Sequence, residues 1–143
     1  MRITICGSST FRKDMVEFKK RLTGLGHEAI VHPVYEELVA GRNPELAERI
    51  KHEHANVKRE GDFIRWYYNS IVGSDAILVL NFDKNGIQNY VGGNTLMEMG
   101  YAHVHDKKIF LLNPVPNISY SDEIFAMDPV ILNGNLKRIG VEA

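Results

Sequence analysis

The residues best placed to do chemistry lie between Tyr90 and His103, in Tyr-Val-Gly-Gly-Asn-Thr-Leu-Met-Glu-Met-Gly-Tyr-Ala-His. Gly92 and Gly93 let a ligand come close to the backbone. Asn94 or Thr95 can cap a helix that follows, and the unsatisfied N–H groups at that helix start favour an anion. Glu98 then falls about one turn into the helix. A lone carboxylate beside amides that attract anions suggests a phosphate- or sugar-binding pocket holding a general base or nucleophile. A second loop, Gly7-Ser8-Ser9-Thr10, offers more amides and hydroxyls to the same ligand.

Both loops follow apolar runs that read as buried strands, Arg2 to Cys6 and Asp75 to Asn81. Phe11, Met15, Phe18, Leu22 and Leu25 recur every three or four residues, which predicts an amphipathic helix from Phe11 to Leu25. Glu28 to Val31 reads as the next strand, and His32-Pro33 breaks the pattern. Asn43 and Pro44 suit the N-cap and first position of a strongly charged helix running to about Tyr68, which Gly61 kinks or divides. After the Glu98 helix come a strand from Lys107 to Leu112, a short helix from Ser119 to Met127 capped by Ser119 or Ser121, and a short strand from Val130 to Leu132. Strands alternating with helices predict an α/β fold of three layers, with a five-stranded parallel sheet in the flavodoxin-like (Rossmann-like) order 2-1-3-4-5. Ligands bind such sheets at the carboxyl ends of the strands, and both informative loops fall on that edge.

A length of 143 residues suits a single domain spanning 1–143, and 44% hydrophobic with 24% charged residues is ordinary for a globular protein. The net charge of −1 gives no electrostatic case for nucleic acid or an anionic membrane as a partner. One cysteine, Cys6, excludes an internal disulfide. No apolar run reaches transmembrane length and no signal-peptide pattern opens the chain, so a cytoplasmic location is expected. Cys6 ends a buried strand and reads as a small core residue. Six histidines form no recognisable ligand set: on a helix, His52 and His54 point about 200° apart. No metal is expected.

These same residues resemble the nucleoside 2-deoxyribosyltransferase-like superfamily, which includes deoxynucleoside 5′-monophosphate N-hydrolases. The resemblance covers most of the chain and rests on Ile3-Thr4-Ile5-Cys6-Gly7-Ser8, on Asp75-Ala76-Ile77-Leu78-Val79-Leu80-Asn81, and above all on Gly93-Asn94-Thr95-Leu96-Met97-Glu98-Met99-Gly100-Tyr101-Ala102. It implies a flavodoxin-like fold, no cofactor, a small-molecule nucleoside or nucleotide as substrate, and a homodimer or higher homo-oligomer. In that family a glutamate attacks the anomeric carbon, and Glu98 matches it. An adjacent carboxylate can trap the oxocarbenium-like state of an opening N-glycoside. The leaving base needs a proton or hydrogen bond, for which Asp83 is the best nearby acid.

Gly7, Ser8, Ser9 and Arg12, facing Gly92, Gly93, Asn94 and Thr95, resemble the phosphate cradle of the nucleotide hydrolases. Asn81, Tyr90 and Asn94 are expected to position sugar and base. Asp62 or Arg65 on the charged helix, and Asn113 or the 119–127 segment reaching toward a neighbouring subunit, are further candidates. Transferases of this family carry an aspartate where this chain has Gly92, so transfer to a second base and hydrolysis both stay open. A partial echo of the G-G-x-G-T loop of cytokinin-activating phosphoribohydrolases is also present. The competing reading is a non-catalytic nucleotide sensor on the same fold.

Overall fold

The computed structural model describes residues 1–60 and 62–140. Five parallel strands form one sheet in the order β2-β1-β3-β4-β5. They are β1 (Arg2–Gly7), β2 (Glu28–Ile30), β3 (Ala76–Leu80), β4 (Lys108–Leu111) and β5 (Val130–Ile131). Helices flank both faces, which makes three α/β/α layers. A sheet covered on both faces needs strands that are apolar throughout, and every residue of β3 is buried. The strand order and parallel sense expected from the alternation of elements are those observed.

The first helix, α1 (Arg12–Gly24), buries Met15, Phe18 and Leu22, as the spacing predicts. The expected break at His32-Pro33 is instead the start of a helix, α2 (Pro33–Val39). Proline is tolerated at a first helical position, and the His32 Nδ1 accepts the Val34 N–H at 3.1 Å, an imidazole doing the work of a cap. The long charged helix expected from Glu45 is three helices: α3 (Pro44–His52), α4 (His54–Glu60) and α5 (Phe63–Val72). Asn43 caps α3 through the Leu46 amide at 3.1 Å, as expected. The break after α3 comes at Glu53, whose backbone (φ −130°, ψ 43°) leaves the helical range. The kink assigned to Gly61 lies outside the described residues. Asp62, just before α5, adopts a left-handed conformation with φ of 49°.

The helix carrying Glu98, α6 (Gly93–Val104), packs against α5, and both contact β1. Its N-cap is Gly92, with no side-chain cap, so neither Asn94 nor Thr95 has the expected capping role. The helix starts two residues earlier than such a cap requires, and both side chains lie inside it. The last helix, α7 (Ser121–Ala126), is likewise capped by neither Ser119 nor Ser121. The Ser121 hydroxyl instead accepts the Ile118 amide at 2.9 Å and holds the preceding turn. Among the described residues no helix is long and apolar enough to cross a membrane.

Candidate active site

Side chains alternate along β1, so Thr4 and Cys6 face the α5 and α6 side of the sheet. Thr4 is tied there to the Ser70 and Ser74 hydroxyls at 2.8 and 2.7 Å. Past Cys6 the chain turns at Gly7, whose φ of 154° is rare for L side chains, and an added Cβ would lie 3.1 Å from the Leu80 carbonyl. The Ser8 hydroxyl then accepts the Thr10 amide at 3.3 Å and caps the short 3-10 turn Ser9–Phe11. Across the sheet edge, the chain leaving β3 doubles back through a small hairpin in which Lys84 and Ile87 exchange backbone hydrogen bonds. This hairpin aims the Lys84 ammonium at the Ser8 hydroxyl, 2.7 Å away, with the Tyr90 ring beneath it.

The two loops enclose a cleft of about 170 Å³. Gly7, Ser8, Ser9, Tyr90, Gly92, Gly93, Asn94 and Thr95 all line it, together with Lys84. Gly92 admits the Tyr90 ring: an added Cβ would lie 3.0 Å from the Tyr90 hydroxyl. The Tyr120 hydroxyl donates to the Val91 carbonyl and fixes the same loop from outside. The uncapped amides at the α6 N-terminus, a lysine and a serine hydroxyl together suit an anion such as a phosphate monoester. Lys84 has no signal in the sequence, because a Lys-Asn-Gly turn is usually an exposed loop tip.

Glu98 is 2% exposed and lies behind this cleft rather than in its wall. Asn94 links the two: it lines the cleft, and its amide donates to Glu98 Oε2 at 3.1 Å. The Cys6 thiol faces the same carboxylate, and burial, then the Glu98 charge and hydrogen bond, push its pKa well up. Burial, and then the Glu98 charge, raise the Tyr35 pKa; burial, the Tyr35 hydroxyl and Glu98 do the same for Tyr67. Both phenols therefore stay protonated beside the carboxylate. Nothing local in the sequence points to Tyr35 or Tyr67, because each lies far along the chain from Glu98.

The remaining expected residues sit elsewhere. Asp83 is exposed, and its carboxylate accepts the Asn89 amide at 2.9 Å, closing the hairpin loop rather than facing Glu98. Asn81 is fully buried with its side chain engaged by Asn113 and Pro114, so it fastens the ends of β3 and β4 instead of presenting an amide to a ligand. Asn113 donates back to the Asn81 carbonyl at 3.1 Å, within its own chain. Arg12 donates to the Ser9 carbonyl at 3.2 Å and supports the first loop from below. Asp62 and Arg65 pair with each other in solvent at 3.2 Å. Among the described residues, no group of three or more histidine, cysteine, aspartate or glutamate side chains is arranged to hold a metal. Comparison with family models, curated proteins and solved structures finds no match.

His32 closes the back of this region. Its ring is 4% exposed, stacks on Phe63 with centroids 4.0 Å apart, and lies 4.4 Å from Trp66. With Nδ1 accepting the Val34 amide, the neutral tautomer carries its proton on Nε2, which has no hydrogen-bond partner among the described residues. Burial lowers its pKa to about 4. The unfolded chain takes up this proton near pH 6.5 and the folded chain does not, so stability present above pH 6.5 is lost as pH falls toward 4. The loss amounts to about 3 kcal/mol. Urea unfolding at several pH values checks this: His32→Asn, which keeps a capping acceptor, should have a flatter stability profile between pH 6.5 and 4.

Proposed function

We propose that this protein cleaves the N-glycosidic bond of a deoxynucleoside or deoxynucleotide, with Glu98 as nucleophile and water or a second base as acceptor. The observation that carries the proposal is the link from anion cleft to buried carboxylate through Asn94. A 5′-phosphate held by Lys84, Ser8 and the α6 amides leaves the sugar on the Asn94 side of the cleft. When Asn94 gives way, a Glu98 oxygen forms a bond to the anomeric carbon while the carbon–nitrogen bond breaks and its electron pair leaves with the base. Water or another base then attacks the anomeric carbon, the bond from that carbon to the Glu98 oxygen breaks and frees the carboxylate, and the proton given up by the attacker passes through solvent to the departed base. The Tyr35 and Tyr67 hydroxyls stay protonated within electrostatic reach of that carboxylate. On this reading the protein is a nucleoside 2-deoxyribosyltransferase-like enzyme of the cytoplasm that works as a homo-oligomer without a cofactor.

Incubation with a panel of deoxynucleosides and their 5′-monophosphates, followed by assay for free base, tests the proposal. Adding a second base to the same reaction separates transfer from hydrolysis. Lys84→Met keeps the stem of the side chain but removes its charge. It should raise KM for 5′-monophosphates by about 10- to 100-fold, the worth of one charged hydrogen bond, while nucleoside turnover is unchanged. Equal losses on both substrates would remove the phosphate from this end of the cleft.

A sensor is the second reading, favoured by the near-complete burial of Glu98. Tight nucleotide binding with no free base from any member of the panel supports it.

A further inference from the structure

The sequence holds the pair Asn-Gly twice, at Asn85-Gly86 and at Asn133-Gly134. Both pairs form the same kind of two-residue turn. Asn85 and Gly86 have φ of 54° and 74°, and Asn133 and Gly134 have φ of 50° and 78°. The Ile87 N–H closes the first turn on the Lys84 carbonyl at 2.9 Å, and the Asn135 N–H closes the second on the Leu132 carbonyl at 3.1 Å. Both asparagines are exposed. Their glycine amides differ. The Gly134 N–H donates to the Leu112 carbonyl at 2.8 Å, and Leu132 beside it is fully buried, so this turn is fastened past the end of β4. Among the described residues the Gly86 N–H has no acceptor, and its turn stands on the two backbone bonds between Lys84 and Ile87.

We infer that Asn85 is a modification site, at which the folded chain deamidates without an enzyme while Asn133 is protected. Gly86 has no Cβ, so its nitrogen can approach the Asn85 side chain. After giving its proton to hydroxide, that nitrogen bonds to Asn85 Cγ. The Cγ–Nδ2 bond breaks, and its electron pair leaves with the nitrogen, which takes a proton from water and departs as ammonia. Water then adds to one carbonyl of the resulting succinimide, and the C–N bond there breaks while the Gly86 nitrogen regains a proton. Breakage at Cγ leaves aspartate; breakage at the main-chain carbonyl leaves isoaspartate. The turn has to open for the nitrogen to reach Cγ, and a short exposed loop opens at little cost in free energy. Gly134 must first give up its bond to Leu112, which alone slows the step roughly 2- to 10-fold. Isoaspartate routes the main chain through the former side chain and lengthens it by a carbon. Lys84 and Ile87 cannot then keep both their bonds, at 3.0 and 2.9 Å, and the hairpin no longer aims Lys84 at Ser8.

This inference goes beyond the proposed chemistry and does not use Glu98, and it is read without substrate. The protein is held in mildly alkaline buffer, either folded or in urea, then digested in acid to halt the reaction. Fragmentation mass spectrometry follows each asparagine. In the folded protein Asn85 should gain the mass of an amide-to-acid exchange on the order of 10-fold faster than Asn133. In urea, where neither turn exists, the two should convert nearly alike. Asn85→Gln should remove the gain, because glutamine would have to close a larger ring. In the converted fraction, separated by its extra negative charge, the Ile87 amide should exchange its hydrogen faster than in the unconverted one. A folded Asn85 that stays an amide overturns the inference, as does an equal rate at Asn133 or a gain that survives in Asn85→Gln. A difference that persists in urea overturns the protective role of the Gly134 bond, and an unchanged Ile87 amide overturns the loosening of the hairpin.

Discussion

Glu98→Gln should abolish release of free base, lowering turnover on the order of 10³-fold or more, while leaving the protein folded. Glutamine has the same shape, and its side-chain oxygen still accepts from the Asn94 amide that now meets Glu98 at 3.1 Å. It lacks the negative oxygen that, in the proposed reaction, bonds to the anomeric carbon. Removing a carboxylate that is 2% exposed also removes the cost of burying a charge, so unfolding should be no easier than in the wild type. Binding of a deoxynucleoside 5′-monophosphate, measured by calorimetry, should persist because the proposed phosphate cradle is untouched. A variant that still releases base at the wild-type rate would take the carboxylate out of the chemistry.

Asn81→Ala should cost about 3–5 kcal/mol of stability, read as a lower urea midpoint. Its amide donates to the Asn113 and Pro114 carbonyls at 2.9 and 3.1 Å, and its oxygen accepts the Asn113 amide at 2.9 Å. Alanine leaves all three backbone groups without that partner at a fully buried site, and leaves a cavity where the side chain was. Asn113→Ala removes only the return bond to the Asn81 carbonyl at 3.1 Å and should cost less. Because the two residues share one network, the double variant should be less destabilised than the sum of the singles. A change confined to KM, with no loss of stability, would restore Asn81 to the ligand.

The contrast between these two residues shows what a sequence makes legible. Both Glu98 and Asn81 end or follow an apolar strand, and both read as facing the carboxyl edge of the sheet. Glu98 is turned inward to Cys6 and Asn94, consistent with its place one turn into α6. Asn81 is also turned inward, but toward β4, where strand-end amides and carbonyls compete for it. That competition involves residues more than thirty positions away and leaves no local signal. Asp83 follows the same logic, since a carboxylate two residues past a strand satisfies the nearest loop amide before it reaches across a cleft. His32-Pro33 shows a different limit. Proline marks a boundary without saying whether a helix ends or begins there, and the capping bond from Val34 decides it.

By itself the sequence determined the layered architecture, the strand order and the two loops that meet at the sheet edge. Those follow from apolar periodicity, small residues at turns and right-handed crossovers, all of which are local or topological. Only the tertiary structure decided that Lys84 lines the cleft between the two loops, that Tyr35 and Tyr67 lie within electrostatic reach of Glu98, and that Asn81 serves as a clasp. Each of those depends on which distant side chain fills a shared space first, and burial makes any unpaired polar atom there too costly to leave to chance.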